Sequence, residues 1–370
     1  MKKHIFFVLL CAVVLLPACN RYNLDERIAR FEKEMEEYRE QTENIGMSVV
    51  FVHDNEIAYV RHFGVKNLES QEPIDDATMF RVASISKTFT ATSILQQVEQ
   101  GKVSLKTDAG ELLGFPLRNP NYPDSVITLE MLLSHTSSIN DDDGFNDYAP
   151  GHGYAYCDHN YTLLGMILEQ LTGERFDRYI AGHILEPLGL YGGYDVDSLD
   201  RSRFASLYQW DGEKYVCTDE GAYASRSERL KTYHLGWDVP LLSPAAGMKM
   251  SALDVAKYML MHMNYGLAKN GVRILGDSTS RDMQIPRSEI TDEHFGLGLL
   301  QTESYSPGVF LVGHLGGAWG MRGGMFFNPE EKYGFVLMSN GSHDRENNDE
   351  NNIHRNTLAR MYKCFIEEQK

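Results

Sequence analysis

Cysteine is scarce in this chain, five among 370 residues. Cys11 falls inside an N-terminal apolar stretch and Cys19 just after it. The remainder, Cys157, Cys217 and Cys364, is odd in number and widely spaced, which does not make a disulfide framework. Metal-ligand spacing is missing as well. H-E-x-x-H does not occur, and His135, His152, His159 and His183 are scattered, so neither a metal nor another cofactor is expected. Runs of Lys and Arg are lacking: 35 basic residues stand against 52 acidic ones, a formal net charge of -17. Without a basic stripe, a nucleic-acid partner is excluded. The acidic stretches, Asp141-Asp142-Asp143 and the segment from Asp344 to Asn352, lack the Gly-containing spacing of a calcium loop and read as solvated turns. No Pro/Gly/Ser-rich or charged linker divides the chain. One compact body is expected, with 42% hydrophobic residues to fill a core.

What is present begins at the N-terminus. Met1-Lys2-Lys3 is basic and Ile5 to Leu16 is apolar without interruption, too short to span a bilayer comfortably but suited to a signal peptide. The stretch ends Leu16-Pro17-Ala18-Cys19 and resembles a bacterial lipobox. Residues 1–19 are therefore expected to be a lipoprotein signal and anchor, with Cys19 lipidated and the protein exported, periplasmic or at the cell surface. The alternative is ordinary cleavage after Ala18.

Leu24, Ile28, Phe31, Met35 and Tyr38 recur at helical spacing. Met47 to Val52 and Ile57 to Val60 read as strands of a hairpin around His53-Asp54-Asn55-Glu56. From about residue 88 to 263 the pattern is mostly helical, an inserted subdomain. Strand-like segments return at Phe295 to Gln301, Val309 to Leu315, Gly323 to Phe327 and Tyr333 to Met338, before a helix over Ile353 to Glu367. The expected fold is α+β: one antiparallel sheet built from both chain ends, with flanking helices, residues 20–370 making a single domain.

No G-x-S-x-G elbow, Walker loop or G-x-G-x-x-G occurs. What remains is Ser84-Ile85-Ser86-Lys87, the chain's S-x-x-K. It opens a helical run, so Ser84 and Lys87 face the same way one turn apart. A serine hydroxyl becomes a nucleophile when a neighbouring base takes its proton, and an amine whose pKa is lowered by burial can do so. A helix N-terminus adds positive potential where an oxyanion would form.

Pro150-Gly151-His152-Gly153-Tyr154-Ala155-Tyr156-Cys157-Asp158, followed by Asn160-Tyr161-Thr162-Leu163-Leu164-Gly165, resembles the P-G-x-x-F-x-Y-S-N-x-x-Y-x-L-L-G segment of class C β-lactamases, DD-peptidases and related esterases, the serine penicillin-recognising enzymes. Gly313-His314-Leu315-Gly316-Gly317 resembles that family's K-T-G or H-x-G strand. Leu132 to Ser137 is similar to its L-L-x-H-T-S-G turn, Glu186 to Leu190 to its E-P-L-G-M stretch, and Pro244 to Gly247 with Ser251 to Asp254 to a further shared block. The resemblance runs from about Ile45 to Asn340. It implies a β-lactamase/transpeptidase-like fold and an acyl-enzyme on Ser84, with Lys87 and Tyr156 sharing the proton. Whether Tyr156 or Lys87 is the base stays open, because the two titrate as a pair. It also implies backbone oxyanion donors at Ser84 and Gly317, and substrate contacts at Asp158, His314, Gly316 and Gly317.

The chain departs from the family pattern in several places. Asp158 replaces Asn, a carboxylate that only accepts in place of an amide. Cys157 replaces Ser, a near-isosteric and structural change. Ser138 replaces the Gly of the turn and suggests a different backbone there. His314 stands where β-lactamases carry Lys; Arg322 is a candidate for the missing charge, against a solvated arginine. Loops between Ser138 and Pro150 and between Tyr191 and Leu242 are expected to line the pocket.

The resemblance implies a serine hydrolase acting on a small-molecule or peptide substrate, cell-wall fragments among the candidates, through a peptide, amide or ester bond. A DD-carboxypeptidase-like or esterase-like activity ranks above a β-lactamase one. The rival reading is a penicillin- or cell-wall-fragment-binding sensory lipoprotein of negligible turnover.

Overall fold

The computed structural model describes residues 16–142, 144–290, 293–305, 308–342 and 352–369, without the side chains of 16–23, 289, 290, 293 and 369. The signal segment up to residue 15, the side chain of Cys19, Asp143 and the acidic segment 344–351 lie outside the described residues. Among the described residues no helix is long and apolar enough to cross a membrane.

The strands are β1 (Gly46–His53), β2 (Glu56–Gly64), β3 (Met79–Arg81), β4 (Gly192–Gly193), β5 (Tyr208–Trp210), β6 (Tyr215–Cys217), β7 (Lys249–Ser251), β8 (Ser288–Ile290), β9 (Glu293–Phe295), β10 (Leu300–Thr302), β11 (Leu311–Ala318), β12 (Met321–Asn328) and β13 (Tyr333–Ser339). Eight of them form one sheet in the order β2-β1-β13-β12-β11-β10-β9-β8. The pairing is antiparallel throughout, and β1 joins β13 in the register Met47↔Ser339 to His53↔Tyr333. The sheet is thus completed by the two ends of the chain, as the sequence implied.

Both faces of that sheet are covered. Along β1, Met47, Val49 and Phe51 enter a core shared with Phe335 and Leu337 of β13, with Phe31, Met35 and Tyr38 of α1 (Leu16–Gln41) and with Leu358, Met361 and Phe365 of the C-terminal helix. Val50 and Val52 point the other way, into the larger core beneath the helical layer. Period-two alternation between two dry faces explains why β1 is apolar at nearly every position.

The helical layer contains α2 (Ser86–Glu99), α3 (Ala109–Leu113), α4 (Leu129–Leu133), α5 (Asp158–Thr172), α6 (Phe176–Ile180), α7 (Glu186–Leu188), α8 (Asp219–Tyr223), α9 (Ser227–Leu230), α10 (Ala252–Met263) and α11 (Asp277–Gln284); α12 (Ile353–Phe365) closes the other face of the sheet. Helix α2 runs through the middle and is buried on nearly every side despite four hydroxyl residues from Thr88 to Ser93. Those hydroxyls are satisfied: Thr88 donates to Ile85 O, Thr92 to Thr88 O and Ser93 to Thr90 O at 2.7–2.8 Å, and Thr90 to Pro244 O at 2.9 Å.

The single strand expected over Phe295–Gln301 is two, β9 and β10, joined by a tight turn. Gly298 in that turn has φ +83°, and a Cβ there would lie 2.5 Å from Ala91 Cβ of α2. Only glycine lets the turn dip onto the central helix.

Candidate active site

Ser84 lies in a short 3-10 turn, Ala83–Ile85, that feeds directly into α2, and Lys87 sits in the first turn of that helix. The turn is held from several sides. Val82 N donates to Met248 O, Met248 N to Ser86 Oγ, and the Tyr194 hydroxyl to Ser86 O. Ser86, the second serine of the motif, is therefore a fastener, while Ser84 keeps its side chain partly open to solvent. Ala83, just before it, has φ +47°. That left-handed conformation costs a non-glycine residue about 1–2 kcal/mol, and the packing around it sustains the strain.

Lys87 is wholly buried, and its ammonium has three oxygen partners: Ser84 Oγ at 3.1 Å, Ala245 O at 3.2 Å and Asp158 Oδ1 at 2.5 Å. The faces of Tyr156 and Tyr161 lie 4.7 and 5.6 Å away. Burial lowers the Lys87 pKa, and the Asp158 carboxylate opposes that fall. Sequence and geometry thus agree on the proximity of Ser84, Lys87 and Tyr156. The structure adds that Asp158, half exposed at the start of α5, is turned towards Lys87 as its counter-ion.

Tyr156 is 40% exposed and rests on His135, ring centroids 4.4 Å apart, with Phe295 at 5.8 Å and His314 at 6.2 Å. His135 is buried in the turn before residue 138, at φ +58°. Its Nδ1 accepts from Cys157 N–H at 3.1 Å, which places the proton of the neutral ring on Nε2. His314 has the opposite tautomer: Nδ1 donates to Leu315 O at 2.6 Å, leaving a lone pair on Nε2. Burial keeps both rings neutral, with the Lys87 charge acting the same way, and pushes His314 down to about 3. Where a lysine would bring a donor and a charge, His314 brings a neutral acceptor.

His314, Gly316 and Gly317 lie on β11. Strand β10 pairs only with Leu311–Gly313, so the edge from His314 to Ala318 on that side carries no strand among the described residues. A Cβ on Gly316 would lie 2.5 Å from Val82 O, so glycine is what lets this strand approach the Ser84 turn. Gly317 faces the other way. Leu315 packs with the α1 and α12 core, and Arg322, the register partner of Gly317, lies against Gly317 on that same face and near His354 of α12. Arg322 is therefore neither the missing charge beside His314 nor a freely solvated arginine. His354 Nε2 meets Gly316 O at 3.2 Å, fastening the strand from behind.

The remaining departures also resolve physically. Ser138 has φ +67°, so the serine occupies the left-handed conformation that glycine takes freely, not a different one, and its Oγ accepts from Asn119 Nδ2. Cys157 is buried and its Sγ–H donates to Asp141 Oδ1 at 3.2 Å; burial and that carboxylate push the thiol up to about 12, which keeps it protonated. Asp141, expected as a solvated turn residue, also accepts from His159 N and so caps α5 from outside.

Sequence reasoning assigned no role to Arg81, His135 or His354. Arg81 left a visible signal, a lone cation in the apolar run Met79–Ile85. The other two depend on contacts between distant segments.

Comparison with known proteins agrees with this fold. A family model described as "Beta-lactamase" matches residues 31–359. Protein flp of Staphylococcus aureus strain N315 is 22% identical over 324 residues, covering 80% of this chain and 59% of its own length, so the chain spans well under two thirds of that relative. Among solved structures, an octameric penicillin-binding protein homologue from Pyrococcus abyssi superposes with a TM-score of 0.72 at 24% identity, covering 85% of this chain and 74% of its own. The D-alanine carboxypeptidase AmpC from Burkholderia cenocepacia gives 0.70 at 20% identity, covering 90% and 98%. A buried lysine on a partly open serine beside an open strand edge suits acyl transfer, and with the family model spanning most of its length the chain belongs to the β-lactamase family.

Proposed function

We propose that the chain is an exported, lipid-anchored hydrolase that cleaves a peptide, amide or ester bond through an acyl-enzyme on Ser84. The observation that carries this reading is the 3.1 Å contact between Ser84 Oγ and the wholly buried Lys87 ammonium. Ser84 Oγ attacks the substrate carbonyl carbon while its proton passes to the Lys87–Tyr156 pair. The oxyanion is met by the backbone N–H groups of Ser84 and Gly317. Collapse returns the proton to the leaving nitrogen or oxygen, and water, deprotonated by the same pair, then attacks the ester and restores Ser84. A DD-carboxypeptidase-like or esterase-like activity suits the site better than efficient β-lactam hydrolysis, because the neutral His314 attracts a carboxylate less than lysine would and Asp158 offers no amide donor.

A second reading has one specific observation in its favour. The Asp158 carboxylate opposes the loss of the Lys87 proton, which would slow deacylation and suit a sensor that captures penicillin or a cell-wall fragment. Intact mass after incubation with a fluorophosphonate, and separately with benzylpenicillin, separates these outcomes. A fluorophosphonate adduct absent from Ser84→Ala supports the nucleophile. A penicillin adduct that turns over points to hydrolysis and one that persists to the sensor or a peptidase, while absence of both adducts overturns the acyl-enzyme. The anchor is tested separately: Cys19→Ser expressed from the full gene should move from the membrane to the soluble fraction and lose labelled fatty acid.

A further inference from the structure

Three basic side chains converge beside this site, one of them a lysine that burial and the other two press well below its ordinary range. Arg81 on β3 and Lys249 on β7 are register partners across an antiparallel pair. Residues so placed have their Cβ atoms about 5 Å apart on one face, where like charges repel. Arg81 is only 8% exposed and Lys249 4%, and Arg226 is half-buried within electrostatic reach of both. None of the three belongs to an ion pair among the described residues. Lys249 donates to Tyr194 O at 2.8 Å. Arg81 donates from Nε to Ala246 O at 2.9 Å and lies 4.5 Å from the Trp319 ring, while its two terminal amines have no acceptor among the described residues. The carboxylates that reach the cluster have closer partners: Asp158 in Lys87, Asp195, which still acts at longer range on Arg226 and Lys249, in Arg175, and Asp197 in the backbone N–H groups of Arg226 and Ser227.

Burying basic groups together is costly unless an anion joins them, and here the cost shows as a Lys249 pressed towards its neutral form beside two arginines, with no carboxylate in ion-pair contact among the described residues. The cluster adjoins the reaction site: Arg81 lies three residues before Ser84, and Arg81 and Lys87 donate to the neighbouring carbonyls Ala246 O and Ala245 O. We propose that Arg81, Arg226 and Lys249 form a receptor for a carboxylate carried by the substrate, roofed by Trp319 and separate from the open edge of β11. The planar fork of Arg81 suits a carboxylate, and Arg226 completes the pocket from the segment after α8.

This deepens the acyl-enzyme reading and rests on it for its kinetic test. The 4-nitrophenyl monoester of glutaric acid is compared with its neutral methyl ester on the parent, Arg226→Gln and Arg81→Gln. Both variants should lose about tenfold in kcat/KM on the anionic ester and keep activity on the neutral one within about twofold. Equal losses on both esters, or none on either, would overturn the receptor. Should Arg81→Gln not fold, the half-exposed Arg226→Gln carries the comparison. Calorimetric binding of glutarate to Ser84→Ala, and its loss in Ser84→Ala/Arg226→Gln, tests the receptor without acylation. Retained binding in the double variant contradicts it, and absence of fluorophosphonate labelling counts against the acyl-enzyme alone.

Discussion

At the residue scale, Asp158 is the position where this chain most alters the chemistry of its family. An opposite charge within about 4–6 Å raises a lysine pKa by about 1–3 units, so Asp158→Asn should lower that of Lys87 by a similar amount. The limb of the kcat/KM–pH profile that moves identifies the base. If neutral Lys87 takes the serine proton, the acidic limb shifts to lower pH. If protonated Lys87 supports a Tyr156 phenolate, the alkaline limb shifts down instead. A profile with neither limb moved would contradict the ion pair. Gly316→Ala should leave the fold intact, because the clash is confined to Val82 O just before the Ser84 turn, and reduce the rate of fluorophosphonate labelling about 100-fold by displacing β11 from Ser84. An unchanged rate would show that the close approach to Val82 O is not needed. The proximity of Ser84, Lys87 and Tyr156 was legible in the sequence because each sits in a local motif. The turn of Asp158 towards Lys87, and of Arg322 away from His314, was not, since each depends on which face a residue takes once distant segments pack.

At the element scale, strands and long helices were readable from periodicity, but the devices that lock short helices together were not. Glu169 of α5 is the clearest case. Its carboxylate accepts from Phe176 N at 2.7 Å, the Tyr233 hydroxyl at 2.6 Å and Gly236 N at 2.6 Å, joining α5 to the start of α6 and to the segment before residue 240. In sequence it is one glutamate on an amphipathic helix. Glu169→Ala strands two backbone donors and a hydroxyl, each worth about 1–3 kcal/mol when buried and unpaired. A loss of roughly 3–5 kcal/mol in denaturant unfolding is expected, and a loss under about 1 kcal/mol would show that these segments are held otherwise. Left-handed non-glycine residues form a second pattern that composition could not reveal. Ala83, His135, Ser138, Ser243 and Trp319 all have φ between +47° and +67°, and they belong to the segments that carry Ser84, Tyr156, Ala245 and β11. Strain gathered around the site keeps those segments in one geometry.

At the scale of the whole molecule, buried imidazoles set its response to acid. His135, His262, His314 and His354 are neutral in the folded chain; burial depresses His135 well below its ordinary value, His262 and His314 to about 3 and His354 to about 4. Unfolded, each titrates near 6.5, so below that pH the unfolded chain binds more protons and folding stability falls until the folded values are reached. Each contributes about 1.4 kcal/mol per pH unit across that window. Glu169, whose carboxyl burial raises, opposes this by at most one proton. The melting temperature should therefore drop steeply from pH 6.5 to pH 4.5, with an uptake of about three protons on unfolding. A flat profile over that range would contradict the buried neutral histidines. The pairing of β1 with β13 has a temporal consequence. β1 waits for β13 before the edge they share is covered, so this sheet closes only after everything between the two strands has been delivered. A polypeptide wired this way stays threadable while it is made, and a nascent chain stopped before Tyr333 would present the apolar edge of β1 to whatever strand it met first.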